Sequence, residues 1–128
     1  MDEIYREHLL DHYKNPRRFK ELKDPDIHKH DSNPLCGDDI EIFVKLDTKK
    51  EKITDISFKG QGCVICISSA SMLMEELVGK KINEVNKMQT EDMLKILGIE
   101  LTHSRIKCMM LPLKTLQKGI VEYFSKEN

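Results

Sequence analysis

No apolar run in this sequence approaches the roughly 20 residues that a membrane-spanning helix needs. Neither sign of charge is in excess: 21 basic residues stand against 22 acidic ones, for a net charge of −1. Proteins that hold nucleic acid or a lipid surface carry a surplus of Lys and Arg, so both kinds of partner are disfavoured. The first residues, MDEIYREHLLDHYKNPRR, run acidic and then basic and lack the order of a signal peptide. Repeats and low-complexity tracts are absent. A soluble, cytoplasmic protein is expected. Trp is missing and Ala occurs once, as Ala70, against 17 Lys, 12 Glu and 13 Ile. Lys/Glu enrichment accompanies adaptation to heat, but biased codon usage gives the same picture.

What is present suffices for a fold. At 128 residues and 14.9 kDa the chain is expected to form a single domain, residues 1–128. A chain of this size buries about two-thirds of its unfolded surface and needs no staples. Its four cysteines, Cys36, Cys63, Cys66 and Cys108, would lie in a reducing compartment, where structural disulfides are disfavoured.

Residues 2–13 carry Ile4, His8/Leu9 and His12/Tyr13 at helical spacing, and Asn15-Pro16 stops the pattern. His8 and His12 stand four apart on one helix face, a spacing that can hold a metal, but no third ligand lies nearby. Residues 16–35 read as loop; His28 and His30 alternate as strand neighbours would and read as solvated rather than functional. Residues 39–47 alternate Ile40, Ile42, Val44 and Leu46 with polar neighbours, the mark of a half-buried strand. A second strand holds Ile53, Ile56 and Phe58 and completes an antiparallel hairpin, broken by Gly60-Gln61-Gly62. Beyond Cys63 the period is helical. One helix ends at Gly79, a short turn covers Ile82 to Val85, and Thr90 N-caps a helix that stops at Gly98. The last segment, from Arg105, is read as a helix interrupted at Pro112. The expected class is α+β: a small antiparallel sheet of about three strands, an N-terminal helix, and a C-terminal group of helices packed on one face.

Three cysteines fall at element junctions. Cys36 lies in Asn33-Pro34-Leu35-Cys36-Gly37-Asp38, entering the first clear strand. Cys63 ends Gly60-Gln61-Gly62-Cys63, the hinge from sheet to helix, and Cys108 follows Arg105-Ile106-Lys107 near the start of the last helix. Flanking glycines let a backbone approach a ligand closely, and polar clusters carried on turns are where sites usually sit. Cys36 and Asp38 are two apart and converge if Gly37 kinks the chain. The amide end of a helix beginning at Cys63 favours a thiolate there, and Arg105 and Lys107 do the same for Cys108. A thiolate set of this kind is a metal site or a redox or sulfur-accepting site. The Cys63/Cys66 pair lacks the βαβ setting of a thioredoxin-like couple. Cys66, one turn further on, reads as packing first and as a spare ligand or resolving thiol second.

These segments resemble the iron–sulfur cluster assembly scaffold family: the IscU and SufU proteins and the N-terminal domain of NifU. His12-Tyr13-Lys14-Asn15-Pro16-Arg17 is similar to the family's DHYxNPR segment. The Cys36 loop, the Phe58-to-Cys63 stretch with Ser68-Ser69-Ala70-Ser71 behind it, and Lys107-Cys108 resemble its three cysteine motifs, in order and over nearly the whole chain. The resemblance implies a site built from Cys36, Asp38, Cys63 and Cys108. Thiolates hold iron and sulfide, and also tetrahedral zinc. A carboxylate is a harder, less well matched ligand for cluster iron, so Asp38 would keep the cargo labile.

The implied function is a scaffold, a carrier rather than an enzyme, since no nucleophile–base pair is present to turn over a small substrate. It would accept sulfur on Cys108 from a cysteine desulfurase, assemble a [2Fe–2S] cluster, and pass it to apo iron–sulfur acceptor proteins. A cluster bridging two copies would make the chain a homo-oligomer. The alternative is a SufU-type sulfurtransferase in which Zn²⁺ fills the same four ligands. Two departures bear on the choice. IscU relatives carry His immediately before the third cysteine, where this chain has Lys107, and Arg105 matches the SufU pattern. SufU proteins also carry an insertion of around twenty residues before this segment, which is lacking here. Glu100-Leu101-Thr102-His103-Ser104 stands where chaperone-served IscU relatives have Leu-Pro-Pro-Val-Lys. His103 reads as an ordinary loop histidine.

Overall fold

A computed structural model describes residues 3–35 and 37–127 of the protein. Its elements run α1 (Glu3–Lys14), β1 (Ile27–Asn33), β2 (Asp38–Leu46), β3 (Ile53–Gln61), α2 (Val64–Leu77), α3 (Ile82–Asn86), α4 (Thr90–Leu97) and α5 (His103–Glu127). The strands form one antiparallel sheet in the order β1-β2-β3, so the α+β expectation holds.

In β2 the alternation read from sequence has a direct physical cause. Ile40, Ile42 and Val44 are fully buried on one face, while Asp39, Glu41 and Lys45 point the opposite way. The register pairs Val44 with Ile56 and Ile42 with Phe58, which puts β3's apolar side chains on the same face. Across that face lie Leu73, Met74 and Leu77 of α2 and Met109, Leu113, Leu116 and Ile120 of α5, all buried in one core. Each such side chain contributes roughly 1.5–3 kcal/mol on full burial, and this layer supplies most of what holds the helices to the sheet.

Strand β1 corrects the loop expected over residues 16–35. Its inward positions hold Ile27, Lys29, Asp31 and Asn33 rather than an apolar series, so no period-two signal marks it. Its ladder with β2 and its contacts with α5 create it: Lys29 donates to Glu122 at 2.8 Å and Lys118 donates to Asp31 at 2.8 Å. Inward lysine on an edge strand also discourages pairing with another chain.

Three helix readings also differ from expectation, the first being α3 (Ile82–Asn86), a helix where a short turn was expected. Pro112 lies inside α5, a continuous 25-residue helix, rather than interrupting it. The lost backbone bond is tolerated because residues 108 to 113 are all buried, so packing on both sides of the proline holds the helical path. Helix α4 is capped one residue earlier than predicted: Gln89 takes the N-cap position and its backbone N–H donates to Asp92 Oδ2 at 2.8 Å. Among the described residues, no helix is long and apolar enough to cross a membrane.

Helix α1 docks on α2 through a run of small residues. Ser68, Ser69, Ala70 and Ser71 are fully buried. The Ser68 hydroxyl donates to the Leu9 carbonyl at 2.8 Å. The Ser71 hydroxyl lies 2.7 Å from His12 Nδ1 and accepts from the Arg17 N–H at 2.8 Å. His12 is thus a buried anchor of α1, with His8 packed edge-on against it at 4.7 Å between centroids. Burial pushes the His12 imidazole below its ordinary range. Arg17 and His8 add to that, while Glu75 and Asp11 oppose it. An unfolded chain takes up this proton near pH 6.5 and the folded one only at lower pH, so the stabilising contribution is complete above 6.5 and is lost as pH falls through the folded value. The melting temperature of the protein should therefore drop more steeply below pH 6.5 than that of a His12→Gln variant, measured by thermal scans at matched ionic strength.

Candidate metal centre

The hairpin register decides where the first two candidate ligands meet. Asp39 pairs with Gln61, so Asp38, at the start of β2, lies beside the residues that leave β3. Two glycines make that approach feasible. A Cβ on Gly60, whose φ is +153°, would fall 2.0 Å from the Asp39 carbonyl oxygen. Gly62 needs no unusual backbone angle, but a Cβ there would fall 2.5 Å from Asp38 Oδ1 and 3.2 Å from its Cα. The next residue completes the contact: the Cys63 backbone N–H donates to Asp38 Oδ1 at 2.8 Å, and its Sγ lies 3.8 Å from Oδ2.

Cys63 is the N-cap of α2, with extended backbone angles (φ −70°, ψ 168°), and its sulfur accepts the Cys66 N–H at 3.4 Å. A side chain that caps a helix is held toward the helix's amide end, here toward Asp38. Helix α5, packed over α2 and the sheet, delivers the third ligand. Asp38, Cys63 and Cys108 each offer one ligand atom, and these atoms all lie within 4.8 Å of one another. Asp38 and Cys108 are buried and Cys63 is partly exposed. Two sulfurs bound to one tetrahedral zinc at about 2.3 Å stand about 3.8 Å apart, so a metal needs only a small contraction of this set. Two soft sulfurs and one hard oxygen suit zinc or iron over magnesium or calcium.

The remaining candidates fall as follows. Cys36 lies outside the described residues; its neighbour Leu35 is 89% exposed and Gly37 has φ +70°. Cys66 is fully buried in the apolar core and is not a member of the three-ligand group, which favours the packing reading. Arg105 and Lys107 occupy exposed positions in the first turns of α5, and His103 is the exposed first residue of that helix. The part played by Gly62 was not legible beforehand. The Gly-x-Gly-Cys string marks a strand end, but only the register reveals that the second glycine clears space for a carboxylate 24 residues earlier.

The fold and the clustered side chains together define an α+β domain with a candidate metal-ligand group. A family model described as the NifU-like N terminal domain matches residues 4–128, and the chain belongs to that family. The zinc-dependent sulfurtransferase SufU of Bacillus subtilis is 34% identical over 139 aligned positions, covering 95% of this chain and 92% of the relative. The iron-sulfur cluster assembly scaffold protein IscU 1 of Archaeoglobus fulgidus is 34% identical over 123 positions, covering 96% of this chain and 78% of the relative. Among solved structures, the N-terminal part of a NifU-like protein from Brucella abortus superposes with a TM-score of 0.78 at 20% identity, over 98% of this chain and 97% of that one, a likeness of fold.

The Gly62 contact yields a test. Gly62→Ala should weaken Zn²⁺ binding by about tenfold or more, as for loss of a group that orients a metal ligand, measured by competition with a chromophoric chelator. In a protein already carrying Asp38→Ala, the added methyl should cost far less. Equal losses in both backgrounds would mean that the methyl acts on the backbone and not on the carboxylate.

Proposed function

We propose that this protein is a scaffold on which a [2Fe–2S] cluster is assembled and from which it is handed to apo-proteins. The observation that carries this reading is the convergence of the Asp38, Cys63 and Cys108 ligand atoms to within 4.8 Å. Cys36, in the loop that enters β2, supplies the fourth ligand. Thiolates suit iron and sulfide, and the single carboxylate makes the set a poorer store than four sulfurs would be. Poor retention is what an intermediate holder requires.

Sulfur arrives from a cysteine desulfurase. The Cys108 thiolate attacks the outer sulfur of the donor's persulfide, a new S–S bond forms on Cys108, and the donor's cysteine leaves as thiolate. Conversion of that sulfur to sulfide takes two electrons from an external reductant. Arg105 and Lys107, on exposed turns beside Cys108, offer positive charge to the incoming thiolate partner. The working location is the cytoplasm.

A second reading, a zinc-dependent sulfurtransferase, is favoured by the likeness to SufU of Bacillus subtilis and by Arg105. The alignment with that relative runs to 139 positions, more than the 128 residues of this chain, so it opens gaps here. The alignment with the Archaeoglobus fulgidus scaffold, at 123 positions, needs no such excess. That difference favours the scaffold.

Anaerobic reconstitution with ferrous iron and sulfide should give a brown protein with visible absorption. A colourless protein that keeps one zinc and stimulates a desulfurase would select the sulfurtransferase instead. Two substitutions test the roles. Cys108→Ser should abolish persulfide capture, read by mass spectrometry after incubation with a desulfurase and cysteine, whereas undiminished loading moves the acceptor role to another thiol. Asp38→Ala should slow cluster transfer to an apo-ferredoxin by about tenfold or more; transfer at the original rate or faster would sink the labilising role.

A further inference from the structure

The face of the sheet turned away from the helices carries a second group of metal-ligating side chains. Alternation along β1 and β2 sends His28, His30, Asp39 and Glu41 to that face, opposite the one that holds Asp38. The register sets His30 directly across from Glu41, and His28 across from Phe43. His28 Nε2 lies 2.5 Å from Glu41 Oε2, and His30 Nε2 lies 2.5 Å from Asp39 Oδ1. The His28 ring is stacked on Phe43, with centroids 4.5 Å apart and planes 16° from parallel, which fixes the direction of its Nε2.

We propose that His28, His30, Glu41 and Asp39 form a binding site for one divalent first-row metal ion, separate from the thiol centre. The donors stand in two separate close pairs, His28 with Glu41 and His30 with Asp39. Residues directly across an antiparallel pair have Cβ atoms about 4.5–5.5 Å apart, so turning the His30 ring from Asp39 toward Glu41 gathers two imidazoles and a carboxylate around one point, with Asp39 beside them. Two imidazoles and a carboxylate are a ligand set that zinc accepts with a solvent position left open, and nitrogen and oxygen donors equally suit Fe²⁺, Co²⁺ and Ni²⁺. No redox step is involved: each neutral imidazole would ligate through the lone pair of an unprotonated Nε2 and carry its single ring proton on Nδ1.

Three observations favour a site over a pair of ordinary surface contacts. The chain has 21 Lys and Arg and only 5 His, and lysine keeps its charge at every physiological pH where histidine does not, so a plain ion pair would be better made with lysine. The side chains are between 34% and 59% exposed, within reach of a hydrated ion, and His28, His30 and Glu41 line a depression of about 500 Å³. Lys29, at the edge of that depression, is paired with Glu122 at 2.8 Å, and Lys59, across from Glu41 in the register, holds its Nζ over the Phe19 ring at 5.8 Å. Asp39 and Glu41 would balance a dication on this face beside that one lysine.

Zn²⁺ titration of the reduced protein, under a weak competing chelator, tests the proposal by comparing wild type with His28→Gln/His30→Gln. The double variant should bind one ion fewer per chain, with its fold checked by circular dichroism. Glu41→Gln alone should weaken that ion by about tenfold or more. Co²⁺ identifies which ion is lost: it should show weak d–d bands and none of the near-ultraviolet sulfur-to-cobalt absorption of the thiol centre. Equal stoichiometry and affinity in wild type and double variant would overturn the site, as would loss of an ion that carries the sulfur absorption. Equal binding would leave the thiol centre and the scaffold reading untouched, whereas loss of the sulfur-absorbing ion would place the effect of the histidines on the thiol centre itself.

Discussion

One backbone hydrogen bond, from the Cys63 N–H to Asp38 Oδ1, is the constraint on which the site depends. It links two residues 25 apart in sequence, and it exists only because β2 and β3 pair in one register. A slip of one residue would turn Asp38 to the solvent face and the apolar series of β2 with it. The burial of Ile40, Ile42 and Val44 therefore protects the chemistry as well as the core. The bond also divides the carboxylate's work. Oδ1 is committed to the protein, and Oδ2 is turned toward the Cys63 sulfur, so a metal ligated by Asp38 shares it with a backbone amide.

Cys108 reaches the same point by a different route. Helix α5 is held by the apolar layer along Met109, Leu113, Leu116 and Ile120, which supplies the energy of docking. The Lys29–Glu122 and Lys118–Asp31 pairs join α5 to the edge strand. Exposed ion pairs of this kind contribute little to stability, about 0–1 kcal/mol each. Their contribution is to alignment: they fix how far along β1 the helix lies, and so where its first turns carry Cys108.

How much of this was legible in the sequence follows from which interactions are local. The β2 alternation and the helical period beyond Cys63 are local patterns, and each is found where expected. The places of Cys63 and Cys108 were legible because glycine punctuation and helix starts are local as well. Strand β1 was not, because its inward residues are satisfied by α5, some ninety positions later. Pro112 misled for the same reason: the rule that proline breaks a helix is local, and packing from distant elements overrides it. His12 sits between these cases. Its helical position was plain, but its partner Ser71 is 59 residues away, so only the fold separates a buried anchor from half of a metal pair.

The burial of the candidate ligands constrains how a scaffold of this kind works. Cys63 is partly exposed while Cys108 is fully buried. On the proposed scaffold reading a thiolate must reach the outer sulfur of the persulfide along the S–S axis, so a fully buried Cys108 would need its covering chain to move. The segment from Thr102 to Arg105 and Lys107 is exposed and contributes few core side chains, whereas residues from Met109 onward are anchored beneath the sheet. Local opening draws on the least buried part of a structure. On that reading the first turn of α5 is the part that would yield to an incoming donor, and the charges of Arg105 and Lys107 would travel with it. A single displacement there would expose Cys108 and release one corner of the candidate ligand set. Loading and hand-off, as proposed, would then depend on the same motion, which ties the labilising role proposed for Asp38 to access at Cys108.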